Sequence, residues 1–297
     1  MLKFLNNFFH TTKSDTTKLI KRNKQKFKIS DQRLQELAKR LEKTRRTVIR
    51  ISTKKAKNLS LFTSKFGGYP FWPKNLEYPK TPDGSPLILI AQFNLNELPQ
   101  NDLLPNSGIL QFFIADSDHD WGIKLGGTIL NINTGLFKVV YHPNINLSKN
   151  SLITDFNFVH KDPDFPLQNE FTLNFTLDTE LISIDDYRFR NTIQEEEVYK
   201  RIVEEYDDNL LKKLNLTAHF YVSHKIGGYL YYTQNDPRAD QDLFTDFKEP
   251  FELLFQMDSD ANANIIWGDL GVANFFIQPT DLKNLNFKNV LFNWDCF

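Results

Sequence analysis

The sequence predicts a mainly β fold of the α+β kind. It should be an internally duplicated antiparallel β roll or sandwich, with a basic N-terminal helix and one helix between the repeats. Three observations predict it. Lys65-Phe66-Gly67-Gly68-Tyr69 recurs 160 residues later as Lys225-Ile226-Gly227-Gly228-Tyr229. Gln92, which ends the apolar run Leu87–Ala91, is matched by Gln256 after Leu253-Leu254-Phe255; Gly108–Ile114 is matched by Gly271–Ile277 at an offset of 163. The 27 Phe and 10 Tyr suit pleated, half-buried surfaces. A strand–turn–strand unit with one apolar face cannot bury that face alone, whereas two copies can bury it against each other. Two copies are too few for a solenoid.

The elements follow in order. Leu2, Leu5, Phe8 and Phe9 could form a short amphipathic turn. Residues 11–28 are rich in Thr, Lys and Asn, with few apolar positions, and read as a flexible basic linker. Ser30 is placed to cap a helix with Asp31 in its first turn; Leu34, Leu37, Ala38, Leu41 and Val48 fall near helical spacing, so the helix is expected over about 31–50. From residue 60 the period changes. Leu87–Phe93, Gly108–Ala115, Thr128–Ile132 and Phe137–Tyr141 read as strands, with turn chemistry at Pro82-Asp83-Gly84 and Pro105–Gly108. Phe156–Val159 and Phe171–Leu177 are weaker strand candidates. Asn191 should cap a helix over roughly 192–214, with Ile193, Val198, Ile202, Tyr206 and Leu210 on its apolar side and Glu195–Glu197 in its first turn. The second repeat then reads Tyr229–Thr233, Phe251–Met257, Ile265–Trp267, Val272–Gln278 and Val290–Trp294. The division expected is a basic linker and helix over 1–57 and a β domain over 58–297, with pseudo-repeats 65–145 and 225–297.

Charge is unevenly distributed. Residues 1–57 carry 18 Lys and Arg against 4 Asp and Glu, a net +14; residues 58–297 carry 18 against 33, a net −15; together they give the chain's −1. A basic arm can make weak contact with nucleic acid or an anionic surface, or lie on its own acidic body; the acidity of the body favours the second. No apolar run approaches the ~20 residues that span a bilayer. The Asn-broken N-terminus does not read as a signal peptide. The single cysteine, Cys296, allows no internal disulfide and fits a reducing compartment.

Motifs for chemistry are sparse. The Lys-x-Gly-Gly element occurs a third time at Lys124–Gly127, yet none of the three continues as a phosphate-binding loop into a helix, so the glycine pairs read as bulges or tight turns with positive φ. Phe71-Trp72-Pro73 and its counterpart Tyr231–Arg238 are aromatic–proline segments. Symmetry could bring them together as a groove, or their rings could cap the core. The ligand-binding candidates are accordingly Tyr69, Phe71, Trp72, Gln92, Tyr231, Asp236, Arg238 and Gln256. Asp258, Asp260 and Asp269 imitate a twelve-residue calcium loop. However, Ala263 stands where the sharp turn needs Gly, and Asp269 where the bidentate Glu belongs, so they are weak metal ligands. Asp116, Asp118 and Asp120 form a second acidic cluster beside His119. The six His are scattered without ligand spacing, and His224 beside Lys225 would be disfavoured as a cation. No catalytic residue and no cofactor is indicated.

Lys65–Pro73, Leu87–Leu98 with Ala91-Gln92-Phe93, Gly108–Ile114, Val139–His142, His224–Arg238, Leu253–Asp260, Trp267–Ile277 and Asn293–Cys296 together resemble the YwqG-like family (DUF1963) over about residues 57–297. The resemblance implies a duplicated, mainly β fold in cytoplasmic proteins without an agreed activity, and hints at protein binding. It names no catalytic residue. The function expected is therefore a soluble, cytoplasmic binding module for a protein or small ligand in an aromatic-lined groove. The alternative is a divalent-metal-dependent hydrolase using the acidic loop.

Overall fold

The structure is a computed structural model in which residues 29–116, 120–123, 132, 134–146, 148–216 and 223–297 are described. The expectations for residues 1–28, for Lys124–Gly127, for most of Thr128–Ile132, and for Asp118 and His119 lie outside the described residues.

The chain begins as expected and then departs. Ser30 Oγ accepts the Arg33 amide and caps helix α1, Asp31–Glu42, which buries Leu37 and Leu41. The helix stops at Glu42 rather than near residue 50. Thr44 Oγ1 donates to the Leu41 carbonyl at 2.6 Å, and the β-branched run Thr47-Val48-Ile49 with Ile51 and Thr53 then extends as strand β1, Arg46–Ala56. Side chains stiff at χ1 fit a pleated surface better than a helical turn. Part of the segment read as helix is therefore sheet.

The remaining strands are β2 (Lys65–Phe66), β3 (Ile88–Asn94), β4 (Ile109–Ile114), β5 (Phe137–His142), β6 (Glu170–Glu180), β7 (His224–Gly227), β8 (Glu252–Asp258), β9 (Val272–Ile277) and β10 (Leu291–Asp295). Phe156–Val159 is a turn, with the Val159 amide bonded to the Phe156 carbonyl, and Tyr229–Thr233 is irregular. Ile265 makes only isolated bridges, to Leu167 and Asp260. The helix expected over 192–214 is three short ones: α2 (Phe189–Ile193), α3 (Glu196–Val203) and α4 (Asp208–Lys213). Gln194 (φ 59°) and Tyr206 (φ 47°) break it, and Asp207, not Asn191, supplies a cap, accepting the Asn209 and Leu210 amides. Ile193, Val198, Ile202 and Leu210 are buried as expected, while Tyr206 is exposed. Helix α5, Pro279–Lys283, closes the set. Among the described residues no helix is long and apolar enough to cross a membrane.

The ten strands of the described residues form one antiparallel sheet in the order β10-β9-β8-β7-β1-β6-β2-β3-β4-β5, nearly closed into a barrel. Its end strands approach each other, with Phe137 of β5 and Phe292 of β10 packed at 5.3 Å between ring centroids. The order is symmetric about the central β1–β6 pair: β2–β5 lie on one side and β7–β10 on the other. Both halves carry a register shift at the same place, between Leu89 and Ala91 and between Leu253 and Phe255. Lys225 pairs with Arg50 and Lys65 with Thr172; Arg50 lies opposite Thr176 and Thr172 opposite Lys54, so the relating axis falls at the Ser52–Asn174 pair. Each repeat therefore has a further first strand, β1 or β6, and the two are exchanged: β1 pairs with β7 of the second repeat and β6 with β2 of the first.

The interior is lined by Ile49, Phe66, Phe93, Phe112, Phe255, Phe275 and Phe292. On the outer face of the first half, Leu89 and Phe113 lie under Trp72, Tyr78 and Phe156. In the second half, Leu253 and Phe276 lie with Leu230 and Phe251, and the helices add a separate apolar layer that includes Tyr229. Burial of both sheet faces explains why the strands read as continuous apolar runs rather than alternating ones.

Candidate functional site

The repeated motif residues perform the same task in both halves. Gly67 and Gly68 (φ 66° and 70°) and Gly227 and Gly228 (both φ 71°) adopt the left-handed conformation that L side chains rarely take. Each turn is clipped by its own lysine: Lys65 Nζ donates to the carbonyls of Tyr69 and Ser60, both at 2.7 Å, and Lys225 Nζ to the Tyr229 carbonyl and to Glu180 Oε1. Both lysines are fully buried, and burial lowers each to about 8, although Glu170 and Glu97 act in the other direction on Lys65 and Glu180 on Lys225.

The glutamines hold the next residues. Gln92 Oε1 accepts the Phe71 amide at 2.8 Å, and Gln256 Oε1 accepts the Tyr231 amide at 2.7 Å. Gln92 Nε2 donates to the Leu61 and Thr63 carbonyls and Gln256 Nε2 to that of Ser223. A third pin completes the match, with Gln111 Nε2 on the Phe71 carbonyl and Asn274 Nδ2 on that of Tyr231. These side chains satisfy backbone groups buried outside any ladder, which would otherwise be costly.

Most of the ligand-binding candidates are thus enclosed. Phe71, Gln92 and Gln256 have no exposure, and Trp72, at 3%, donates its indole N–H to the Leu76 carbonyl. Tyr69 is 50% exposed and stacks on Phe156; Tyr231 is partly buried. Asp236 and Arg238 are buried in an ion network. Arg238 pairs with Asp236 and Asp186, and Arg188 joins Asp186 to Glu252, which also meets Arg46. Burial alone would raise Asp186, but Arg188 and Arg238 outweigh it and hold the carboxyl at about 2.

Three of the positions at which the halves part company line one cleft. Where the first half has Ser64, Asn94 and Asn96, the second has His224, Asp258 and Asp260, at offsets of 160, 164 and 164. The local backbone contact is kept: Ser64 Oγ accepts the Asn94 amide at 2.8 Å, and His224 Nδ1 accepts the Asp258 amide at 3.1 Å. Accepting at Nδ1 leaves Nε2 to carry the ring proton, and it faces Asp260 Oδ2 at 3.9 Å. The surroundings differ as well. In the first half Leu95, Leu98, Leu103 and Leu104 pack onto the core beside this point. In the second half Ser259 and Asn262 stand where the repeat offset would place counterparts of Leu95 and Leu98. There a cleft of about 540 Å³ opens where β1, β6 and β7 meet the loop after β8; Ile51, Thr53, Lys55, Phe171, His224, Asp258 and Asp260 line it.

Its two carboxyls have opposite environments. Burial raises Asp258, which is 5% exposed, to about 7, and the charge of Asp260 adds to that, against the Ser259 amide and Lys225. His224, with the amides of Ala263 and Asn262, holds Asp260 at about 2. The sequence did not single out His224, whose signal lay in the departure of the second repeat from the first. Asp258 and Asp260 are brought together, whereas Asp269 lies exposed on the following turn. Among the described residues no three His, Cys, Asp or Glu side chains converge to hold a metal ion.

Residues 64–296 match the family model described as Domain of unknown function (DUF1963), and the chain belongs to that family. A search among curated proteins finds no similar sequence.

Proposed function

We propose that this DUF1963 protein is a binding module that takes a small polar ligand, or a polar side chain of a protein partner, into the cleft at His224, Asp258 and Asp260. One observation carries the reading. A scaffold that keeps a lysine clip and amide pins in both halves departs from the repeat at these three neighbouring positions and replaces leucine packing with a cavity. A cavity and a carboxyl whose burial outweighs its favourable contacts both cost stability, and such costs concentrate at functional sites. A concave site with a few convergent polar groups is also the usual form of a ligand pocket.

The test is a ligand-observed NMR screen with a fragment set spanning amines, guanidines, carboxylates and neutral amides. It compares the native chain with a variant carrying His224→Ser, Asp258→Asn and Asp260→Asn, which writes the first half's residues into the second. Fragments should bind the native chain and be lost from the variant, while the variant's melting temperature stays equal or rises. Unchanged binding by a folded variant, or no binding by the native chain, would refute the proposal.

A further inference from the structure

Resting on that reading of the cleft, we infer that its ligand presents an organic cation, an alkylammonium or a guanidinium, that pairs with Asp258 and Asp260. The geometry leaves a place for such a group. Asp260 Oδ1 is satisfied by the amides of Asn262 and Ala263 at 2.9 and 3.2 Å. Among the described residues its Oδ2 has longer neighbours, the Thr53 hydroxyl at 3.5 Å and His224 Nε2 at 3.9 Å. Asp258 lines the same cleft almost fully buried. The nearest buried cation, Lys225, is held by Glu180 and the Tyr229 carbonyl. Ser223 also lines the cleft, and its buried hydroxyl has no hydrogen-bond partner among the described residues. Two carboxyls and an unused hydroxyl around one cavity suit a positively charged donor group, and a guanidinium can bridge two carboxylates with parallel hydrogen bonds.

The charged groups around Asp258 decide how binding depends on pH. From β7, Lys225 favours its anion; from the loop after β8, Asp260 disfavours it; burial disfavours it most. Lys55 of β1 and His224 of β7 line the same cleft, and the Tyr231 phenol feels the Asp258 charge. With Asp258 at about 7, the cleft gains its second negative charge between pH 6 and 8, and an arriving cation should displace the proton.

The experiment is calorimetry with n-butylammonium and n-butylguanidinium on the full chain, at pH 6 and pH 8, in buffers of different ionisation heat. Binding should be about tenfold tighter at pH 8 and release a proton at pH 6, because only about a tenth of Asp258 is ionised there. Asp258→Asn should remove the pH dependence, and Asp260→Asn should remove binding; the native pH profile needs no variant and stands if either fails to fold. Equal affinity at both pH values, or binding unaffected by both substitutions, overturns the inference. If neutral or anionic fragments bind the cleft and neither cation does, the inference fails and the binding module stands. If no fragment of any class binds, both fall.

Discussion

The two halves of the sheet are built on one plan, and they differ where a charge is buried. In the first half the clip lysine, Lys65, rests on two carbonyls, and its counterpart of His224 is a serine. In the second, Lys225 rests on a carbonyl and a carboxylate, Glu180, which also accepts the Tyr229 amide and meets Arg50. A further exchange sits on the end strands. His142, opposite Ile109, and Asp295, opposite Val272, hold equivalent places. His142 bonds Gln111 and is pushed down to about 4 by burial, while Asp295 accepts the Thr233 and Gln234 amides and is raised by burial. Symmetric positions carry the scaffold; the asymmetric ones concentrate the titratable groups. A duplicated fold lets one copy keep the architecture while the other takes on polar groups that a lone sheet could less easily support.

The largest difference between the halves should come from the lysines. Lys225→Met leaves Glu180 as a buried carboxylate with Arg50 as its remaining cation, and should cost about 3–5 kcal/mol. Lys65→Met loses two carbonyl bonds and strands no buried charge in direct contact, so it should cost about 1–3 kcal/mol. Urea denaturation of both variants measures the gap; equal losses would mean that the two clips are energetically the same.

Next in size is a pair of opposite pH responses. Asp258 is raised from 3.8 to about 7 on folding, so the native state holds its proton more tightly. Its contribution is fully present below about pH 4 and is lost as the pH rises to about 7, a fall of roughly 2–4 kcal/mol. His142 is lowered from 6.5 to about 4, so its contribution is present above pH 6.5 and lost as the pH falls towards 4. Between pH 4 and 6.5 the two offset each other in the native chain. Asp258→Asn should therefore make stability fall more steeply on acidification, and should stabilise the protein at pH 8. Thermal unfolding across pH 4–8 checks both; a variant that parallels the native curve would remove Asp258 from the account.

How far the sequence carried this picture depends on the kind of residue. The repeated Lys-x-Gly-Gly-Tyr turns, the strands at Leu87–Phe93, Gly108–Ala115 and Val272–Gln278, and the positive φ of the glycines were legible, because they follow from local spacing and from steric rules. Strand β1 was hidden, since Leu34–Leu41 set a helical period that Val48 happens to continue, and no Gly or Pro marks the change. The exchange of β1 and β6 was not legible at all, because pairing between strands more than a hundred residues apart leaves no local trace. The cleft was missed for a related reason. Attention to what the repeats share picks out Gln92, Gln256 and the aromatic turns, which are pins and core. The proposed site lies in what they do not share.

Glycine substitutions sharpen the comparison at smaller scale. A Cβ at Gly228 would stand 2.1 Å from Glu180 Oε1, a carboxylate already fixed by Lys225 and Arg50. A Cβ at Gly68 would meet the Glu170 side chain at 2.9 Å, whose one described bond is to the Leu59 amide. Both substitutions strain a positive φ, at about 1 kcal/mol. Gly228→Ala should add the displaced ion pair and reach roughly 2–3 kcal/mol. A chemical-denaturation difference of less than about 0.5 kcal/mol between the variants would mean that Glu180 yields as readily as Glu170.

The smallest expected difference lies at the tyrosines that close the two turns. Tyr229 is buried against the helical layer, and its hydroxyl donates to the Thr44 carbonyl at 2.5 Å, tying the end of α1 to the second half. Tyr69, in the equivalent place, is half exposed, with its ring stacked on Phe156. Removing only the hydroxyl separates these roles. Tyr229→Phe leaves the Thr44 carbonyl short of a donor and should cost about 1 kcal/mol, whereas Tyr69→Phe should fall within about 0.5 kcal/mol of the native chain. Hydrogen exchange gives the finer reading, because the loss at Tyr229 should loosen the amides at the end of α1 before those of the sheet. If instead the amides of β7 and β8 lose protection together with α1, the helix and the second half open as one unit, and the layer over Tyr229 is as much a part of that half as the strands are.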